Sequence, residues 1–352
     1  MYSESDIDGA VASGAITPDA AAALRGHIAA ARHAPAADEE QFRLLTGFND
    51  IFVSIAIVLL LAAVGAIGGA IAHGLGAAAV AGASWGLAEY FTRQRRMALP
   101  SILLLLAFVG GVAATLSLML ANERVANWIE SISTDADARI AVASGFAALV
   151  AAVTAAAAWL HWRRFAVPIT VAAGAVAVVA VAMSLIVGLI PAAREAVLPL
   201  VLAAGVAMFA FAMRWDMSDP ERRTRRSDVA FWLHLAAAPM IAHALFNMLG
   251  VFNGDIGAGQ AVVVLALYVA FALVALAVDR RALLVSSLVY VLFALYSLFQ
   301  QAGAVELSAA FTGLVIGSAL LLLSAFWQPV RRRVVGLLGG TGRLLPPVAK
   351  AV

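Results

Sequence analysis

Ten apolar runs fill the chain between residues 50 and 327, separated by short polar breaks. They cover residues 51–72, 75–91, 99–120, 139–160, 166–189, 196–213, 229–248, 260–278, 282–300 and 306–327. A membrane-spanning helix needs about 20 apolar residues to cross roughly 30 Å of hydrocarbon, and most of these runs have that length. In lipid, every backbone polar group must find its partner inside the segment, which selects helices. The alternation over about ten residues that marks a barrel strand is absent. The pattern predicts an all-α, polytopic transmembrane helix bundle of about ten spans. The first two runs raise a question of division. Taken as one helix, residues 51–91 would extend about 60 Å at 1.5 Å per residue, twice the bilayer core. His73-Gly74 is the natural break, so a tight hairpin is expected there.

Residues 1–49 lack this pattern. They hold three Arg, seven acids and no long apolar run. Within them, Thr17 suits an N-cap, Pro18 the first helical position and Asp19 the positive helix end. Gly14 suits the end of a short preceding helix around Ile7–Ser13. Leu24 and Ile28 lie four apart on one face, so the hairpin has a surface with which to dock a cytoplasmic protein partner. A free tail with one nascent helix is the alternative. Ala34-Pro35-Ala36-Ala37 reads as a linker. Three parts are therefore expected: a cytoplasmic N-terminal segment and linker over 1–49, a transmembrane bundle over 50–327 and a cytoplasmic basic tail over 328–352.

Composition strengthens the membrane reading. The 352 residues are 63% hydrophobic and 12% charged, with a mean hydropathy of +0.95. A water-soluble domain is usually about half apolar and about a quarter charged. The start offers no apolar h-region, so no secretory signal peptide is expected in this stretch. Twenty-two of the 23 basic residues are Arg, which with the abundant Ala hints at a high-GC bacterial genome.

The arginines set the orientation. With ten spans and the N-terminus inside, the inside connections are 92–98, 161–165, 214–228, 279–281 and the tail from 328. They hold 17 of the 23 Lys and Arg, against Arg124, Arg139 and Arg194 on the other side. This is the positive-inside bias, and it places both termini in the cytoplasm. A nine-span chain with its N-terminus outside would keep the same arginines inside, but it must translocate an acidic segment of 49 residues and needs a single helix far too long for the bilayer. The longest inside loop, RWDMSDPERRTRRSD (214–228), has five Arg against Asp216, Asp219, Glu221 and Asp228. A phosphate clamp should be strongly basic. This loop is therefore read as an orientation anchor, with Ser218 and Glu221 as a capping box and contact to anionic headgroups as the alternative. The pI near 9.3 has the same origin, so no nucleic-acid partner is inferred.

Other features concern packing and interfaces. Val125, Trp128, Ile129 and Ile132 fall at helical spacing, which predicts an amphipathic helix lying in the interface with Trp128 as its belt residue. Gly65 and Gly69, Gly82 and Gly86, and Gly313 and Gly317 (with Ala309) form GxxxG pairs. Such pairs let backbones approach closely, within this chain or in a homo-oligomer.

The candidate polar seam lies on the ninth run. Ser286, Tyr290, Phe293, Ser297, Gln300 and Gln301 follow steps of four, three, four, three and one. Their polar groups are expected to face other helices rather than lipid tails. The seam serves either interhelical hydrogen bonding or the wall of a solute path. On the seventh run, His234 and His243 point to opposite faces and cannot share a metal. His243 shares a face with Asn247, near the outer end, and both join the seam. Pro239 is a kink candidate. Glu89 is the one acid well inside an apolar run, and Arg93 four residues on is its expected partner.

Several chemistries find no residues to carry them. Without Cys there is no disulfide, iron–sulfur cluster or Cys-based zinc site. No HExxH, Walker A or GxSxG motif occurs, the six His show no ligand spacing, and paired intramembrane carboxylates are missing. No catalytic, cofactor-binding or metal-binding residue is assigned. The layout of Gly14, Ile16, Thr17, Ala20 and Leu24 ahead of a run of helices resembles bacterial multi-spanning inner-membrane families of unknown function. That resemblance spans the whole chain, implies a bacterial inner membrane and carries over no functional residue. The expectation is a non-enzymatic integral membrane protein, structural or partner-binding. The alternative is a small-solute permease with its path along the seventh and ninth spans.

Overall fold

The computed structural model describes residues 4–31, 48–220, 222, 224–251, 257–303, 305–339 and 345. The chain divides into two compact units, residues 1–41 with 348–352, and residues 42–347. Every described element is helical.

In the first unit, α1 (Glu4–Ala12) and α2 (Pro18–Ala31) form a hairpin. Gly14 makes the turn at φ 75°, a left-handed conformation that glycine reaches without a Cβ clash. The Thr17 hydroxyl caps α2, accepting from the Ala20 amide at 3.2 Å. Arg25 pairs with Asp8 at 2.7 Å across the hairpin. The expected linker 34–37 and the Ile28 side chain lie outside the described residues.

The second unit begins with α3 (Phe48–Ile71), α4 (Leu75–Ala88) and α5 (Ala98–Leu120). The short α6 (Glu123–Ile132) leads into α7 (Ala136–Phe165) and α8 (Ile169–Leu189). Then follow α9 (Val197–Met217), α10 (Arg225–Met248), α11 (Ala258–Val278), α12 (Ala282–Gln301), α13 (Ser308–Ala325) and α14 (Trp327–Leu337). Among the described residues, nine helices are long and apolar enough to cross a membrane. These are α3, α5, α7 to α10, the Gly259–Val278 stretch of α11, α12 and α13. The second apolar run is the exception. Its α-helix has only 14 residues, but it continues into a π-helical turn, Glu89–Gln94. The chain is a multi-pass membrane protein built as an all-α bundle.

The hairpin at His73-Gly74 is present, with Gly74 at φ 81°. It is tight because Gly76 has no side chain: a Cβ there would sit 2.3 Å from the Gly65 carbonyl oxygen and 2.8 Å from the Gly69 amide. The GxxxG pair of α3 therefore packs within the chain. The other two pairs do not. A Cβ on Gly82, Gly86, Gly313 or Gly317 would meet nothing within 4 Å.

Helix α6 forms over the expected residues. Asn122 caps it by accepting from the Val125 amide at 3.0 Å, and Trp128 is exposed with its ring 6.0 Å from that of Phe146. At the other end of the chain, α14 follows α13 within two residues. Helix α14 packs on α11, with Trp327 and Arg331 buried. Residues 340–344 and 346–352, which include Arg343 and Lys350, lie outside the described residues.

Candidate functional site

The strongest concentration of buried charge lies where the arginine-rich connections meet. Asp216 stands in the last turn of α9 and is 2% exposed. Its Oδ1 accepts from Arg280 Nη2. Its Oδ2 accepts from Arg280 Nε at 3.2 Å and shares a 2.8 Å hydrogen bond with His234 Nε2 from α10. A carboxylate only accepts, so the His234 ring proton belongs on Nε2. That leaves Nδ1 as a buried atom without a hydrogen-bond partner among the described residues. Phe209 closes the ring edge-on at 4.9 Å. Arg280 also reaches the Ser227 carbonyl at 3.2 Å.

One residue earlier, Asp279 organises a second centre. It ends α11 in a left-handed conformation, φ 57°. Its carboxylate accepts from Trp327 Nε1 at 2.7 Å and from Arg222 Nη1 at 2.8 Å, with Arg331 Nε 3.6 Å away. Arg331 donates to the Leu276 carbonyl at 3.1 Å and is fully buried, while Arg281 lies over the Trp327 ring at 4.7 Å. Together these contacts join the ends of α9, α10, α11 and α12, the 214–228 loop and α14.

In the 214–228 loop, read from the sequence as an orientation anchor, several charges also make contacts inside the protein. Ser218 Oγ donates to the Trp215 carbonyl at 2.7 Å, and Glu221 lies outside the described residues. Thr224 is the N-cap of α10, accepting from the Arg226 amide at 3.2 Å. Asp219 holds Thr224 in turn, accepting from its amide at 2.8 Å and its hydroxyl at 2.7 Å. Asp216 and Arg280 face each other inside the protein. A buried unpaired charge is so unfavourable that each depends on the other. Sequence spacing could not join residues 64 positions apart. One signal was available: a connection of three residues, 279–281, is too short to carry Arg280 far from the helix ends.

The seam residues have a mixed placement. Tyr290, His243 and Asn247 come together. The Tyr290 hydroxyl and His243 Nδ1 lie 2.9 Å apart, and Asn247 Nδ2 is 3.2 Å from His243 Nε2. His243 is exposed, whereas the Tyr290 ring is buried and stacks on Phe246 at 4.4 Å. Ser286 and Ser297 are half-buried, Gln301 is exposed, and Phe293 is 37% exposed. Gln300 donates to the Tyr296 hydroxyl at 2.8 Å. The inward face of α12 instead carries Leu283, Leu284, Ser287, Val291, Ala294 and Leu295 beside Tyr290. Ser287 donates to the Leu283 carbonyl at 2.6 Å, so its hydroxyl is satisfied within its own helix.

Glu89 has a stronger partner than the one expected. Arg164 from α7 grips its carboxylate with two bonds, 2.7 and 2.8 Å, while Arg93 is 3.3 Å away. His234 and His243 do lie on opposite faces of α10, each with its own partner. A third histidine, His161, is buried against Trp85, Phe108 and Phe165, with Thr170 Oγ1 3.3 Å from its Nδ1. No group of three metal-ligating side chains occurs among the described residues.

No family model, curated protein or solved structure matches the chain. The site is therefore read from its geometry alone. It offers ion pairs that tie helix ends together and one hydrogen-bonded Tyr–His–Asn group.

Proposed function

We propose that this chain is a non-enzymatic multi-pass protein of a bacterial inner membrane, acting by structural or partner association. The single observation that carries the reading is the packing around Tyr290. Its ring lies in a close-packed cluster with Phe246, Phe271, Ala242 and Ala294. A solute path along α10 and α12 would need space beside this ring. At the arginine-rich end, the buried ion pairs draw α9 to α12 and α14 together, which suits a rigid scaffold. The N-terminal hairpin supplies an element for a cytoplasmic protein partner.

The small-solute permease is the second reading, favoured by the exposed His243 bonded to Tyr290. A chain carrying Tyr290→Phe, Ser297→Ala and His243→Ala separates the two. Under the association reading, it keeps its binding partners in pull-down from membranes and loses only stability. Complete loss of uptake of a solute, with the bundle still folded, would replace that reading with the permease. Orientation has its own test, because the chain has no cysteine. A single cysteine in the 214–228 loop should resist an impermeant thiol reagent added outside intact cells. Labelling there would reverse the assignment of both termini.

A further inference from the structure

A cavity of about 760 Å³, open along one side, lies between α5, α7, α8 and α10, away from the ion pairs and the seam. Along α8 its lining runs from Ile169 to Ser184, about 22 Å of helix axis at 1.5 Å per residue. That exceeds one leaflet of a hydrocarbon core about 30 Å thick. The lining includes no charged residue. Its polar side chains are the hydroxyls of Ser117, Thr154 and Ser184 and the indole of Trp232, and Thr154 already donates to the Val150 carbonyl at 2.7 Å. A water here needs two to four polar partners, and a polar solute needs more. The remaining wall is largely Ala, Gly, Val and Leu, with Trp232 at the arginine-rich end. Hydrocarbon is the chemistry this space accepts.

The opposite end suits a headgroup. Arg139 lies on α7 about two turns beyond Ala147, the first α7 residue of the lining. Arg194 follows α8 in the 3-10 turn Pro191–Arg194. Arg194 pairs with Asp137 and donates from Nε to the Val187 carbonyl at 3.2 Å. Arg194 Nη2 and Arg139 Nε are buried and have no hydrogen-bond partner among the described residues. The acids on these segments, Asp135, Asp137 and Glu195, are exposed. Guanidinium donors next to exposed carboxylates complement a headgroup that carries both signs.

We propose that the α5–α7–α8–α10 cavity holds one acyl chain of a zwitterionic phospholipid, with its phosphate at Arg139 and Arg194 and its ammonium towards the neighbouring carboxylates. The site uses none of the Tyr290 or Asp216 contacts, so it stands or falls apart from the association reading. From that headgroup the acyl chain runs along the groove towards Trp232.

The test uses the full chain, purified in mild detergent and examined by native mass spectrometry with phosphatidylethanolamine as the added lipid. The wild type should retain one phospholipid per chain. Ala113→Leu and Ala180→Leu, which place side chains in the cavity, should each lower retention at least tenfold. Arg139→Gln with Arg194→Gln should lower it similarly while leaving the cavity open. Retention unchanged in the filled variants, or an unfilled wild type, would overturn the proposal. Retention of a neutral isoprenoid or detergent in place of phospholipid would overturn it too. If the filled variants fail to fold, phosphatidylethanolamine brominated near the chain terminus decides. It should quench wild-type fluorescence more than that of a Trp232→Phe chain, and equal fractional quenching would sink the idea.

Discussion

The two halves of the bundle are held by different means. In α3 to α8, helices approach where side chains are missing. Gly76 meets the Gly65 and Gly69 backbone, Gly111 meets Ala77 and Ala81, and Gly188 meets Ser144. The main charged contact of this half, Glu89 with Arg164, is partly exposed at its end. In α9 to α14, the closure is ionic and internal. Asp216, Arg280, Asp279 and Arg331 are all nearly or fully buried. The spans follow this only in part. The most apolar stretches of α10, α11 and α12 are 50%, 39% and 44% buried within the chain, but those of α9 and α13 are 17% buried, against 22% in α3, α5, α7 and α8. Both halves have similar greasy sequences, so hydropathy alone does not reveal how firmly a span is enclosed. Without a hydrophobic drive between helices in lipid, close packing and polar contacts must do the work. The first half relies mainly on close packing; the second adds buried ion pairs to it, with Gly205 packed against Met240 and Ile241 and a close-packed cluster around Tyr290.

The largest expected effect tests the ionic half. Asp216→Ala leaves Arg280 buried without its main partner and should cost about 3–5 kcal/mol in denaturant unfolding from detergent. Adding Arg280→Ala to the same chain should recover much of that loss. If the single change is silent, the ion pair does not hold the helix ends. The close-packed half comes next. Gly76→Ala forces a methyl against the Gly65 carbonyl and should cost about 1–3 kcal/mol. Gly82→Ala, whose added methyl meets nothing, serves as its control and should leave unfolding unchanged or slightly improved. Equal effects at the two glycines would erase the contrast. A smaller change is expected from Trp327→Phe, about 1 kcal/mol, because Asp279 loses one donor but keeps Arg222. Its sharper readout is proteolysis, in which the arginines of α14 should become accessible to trypsin. The least effect belongs to Glu89→Gln at the partly exposed contact. Any shift in thermal unfolding should shrink further as salt rises, because exposed charges are screened. A salt-insensitive loss would show that this contact resembles the ionic half.

The helix positions were legible because a bilayer imposes length and polarity on each segment. The break at His73-Gly74, the cap at Thr17 and the short helix α6 followed from local rules. The site was less legible. The steps through Ser286, Tyr290, Phe293 and Ser297 trace a real helical face, but the inward face of α12 is rotated from it and shares Tyr290. Hydroxyl polarity was a poor guide because Ser287 satisfies itself on the Leu283 carbonyl. Counting arginines by connection also said nothing of the buried contacts of Arg280 and Arg331. The count records which side a residue lies on, not whether it meets water or a carboxylate.

By itself the sequence determined an all-helical membrane bundle, the places where the chain turns and the end that gathers arginine. These depend on the length of an apolar run, on backbone hydrogen bonding within a segment and on glycine's freedom at a turn, all of which are local. Only the tertiary structure decided that Asp216 faces Arg280, that Asp279 gathers Trp327 and Arg222, and that four helices leave an apolar groove between them. Those outcomes depend on how helices far apart in sequence rotate against one another. A buried charge or a void takes its energy from neighbours that no local pattern can name.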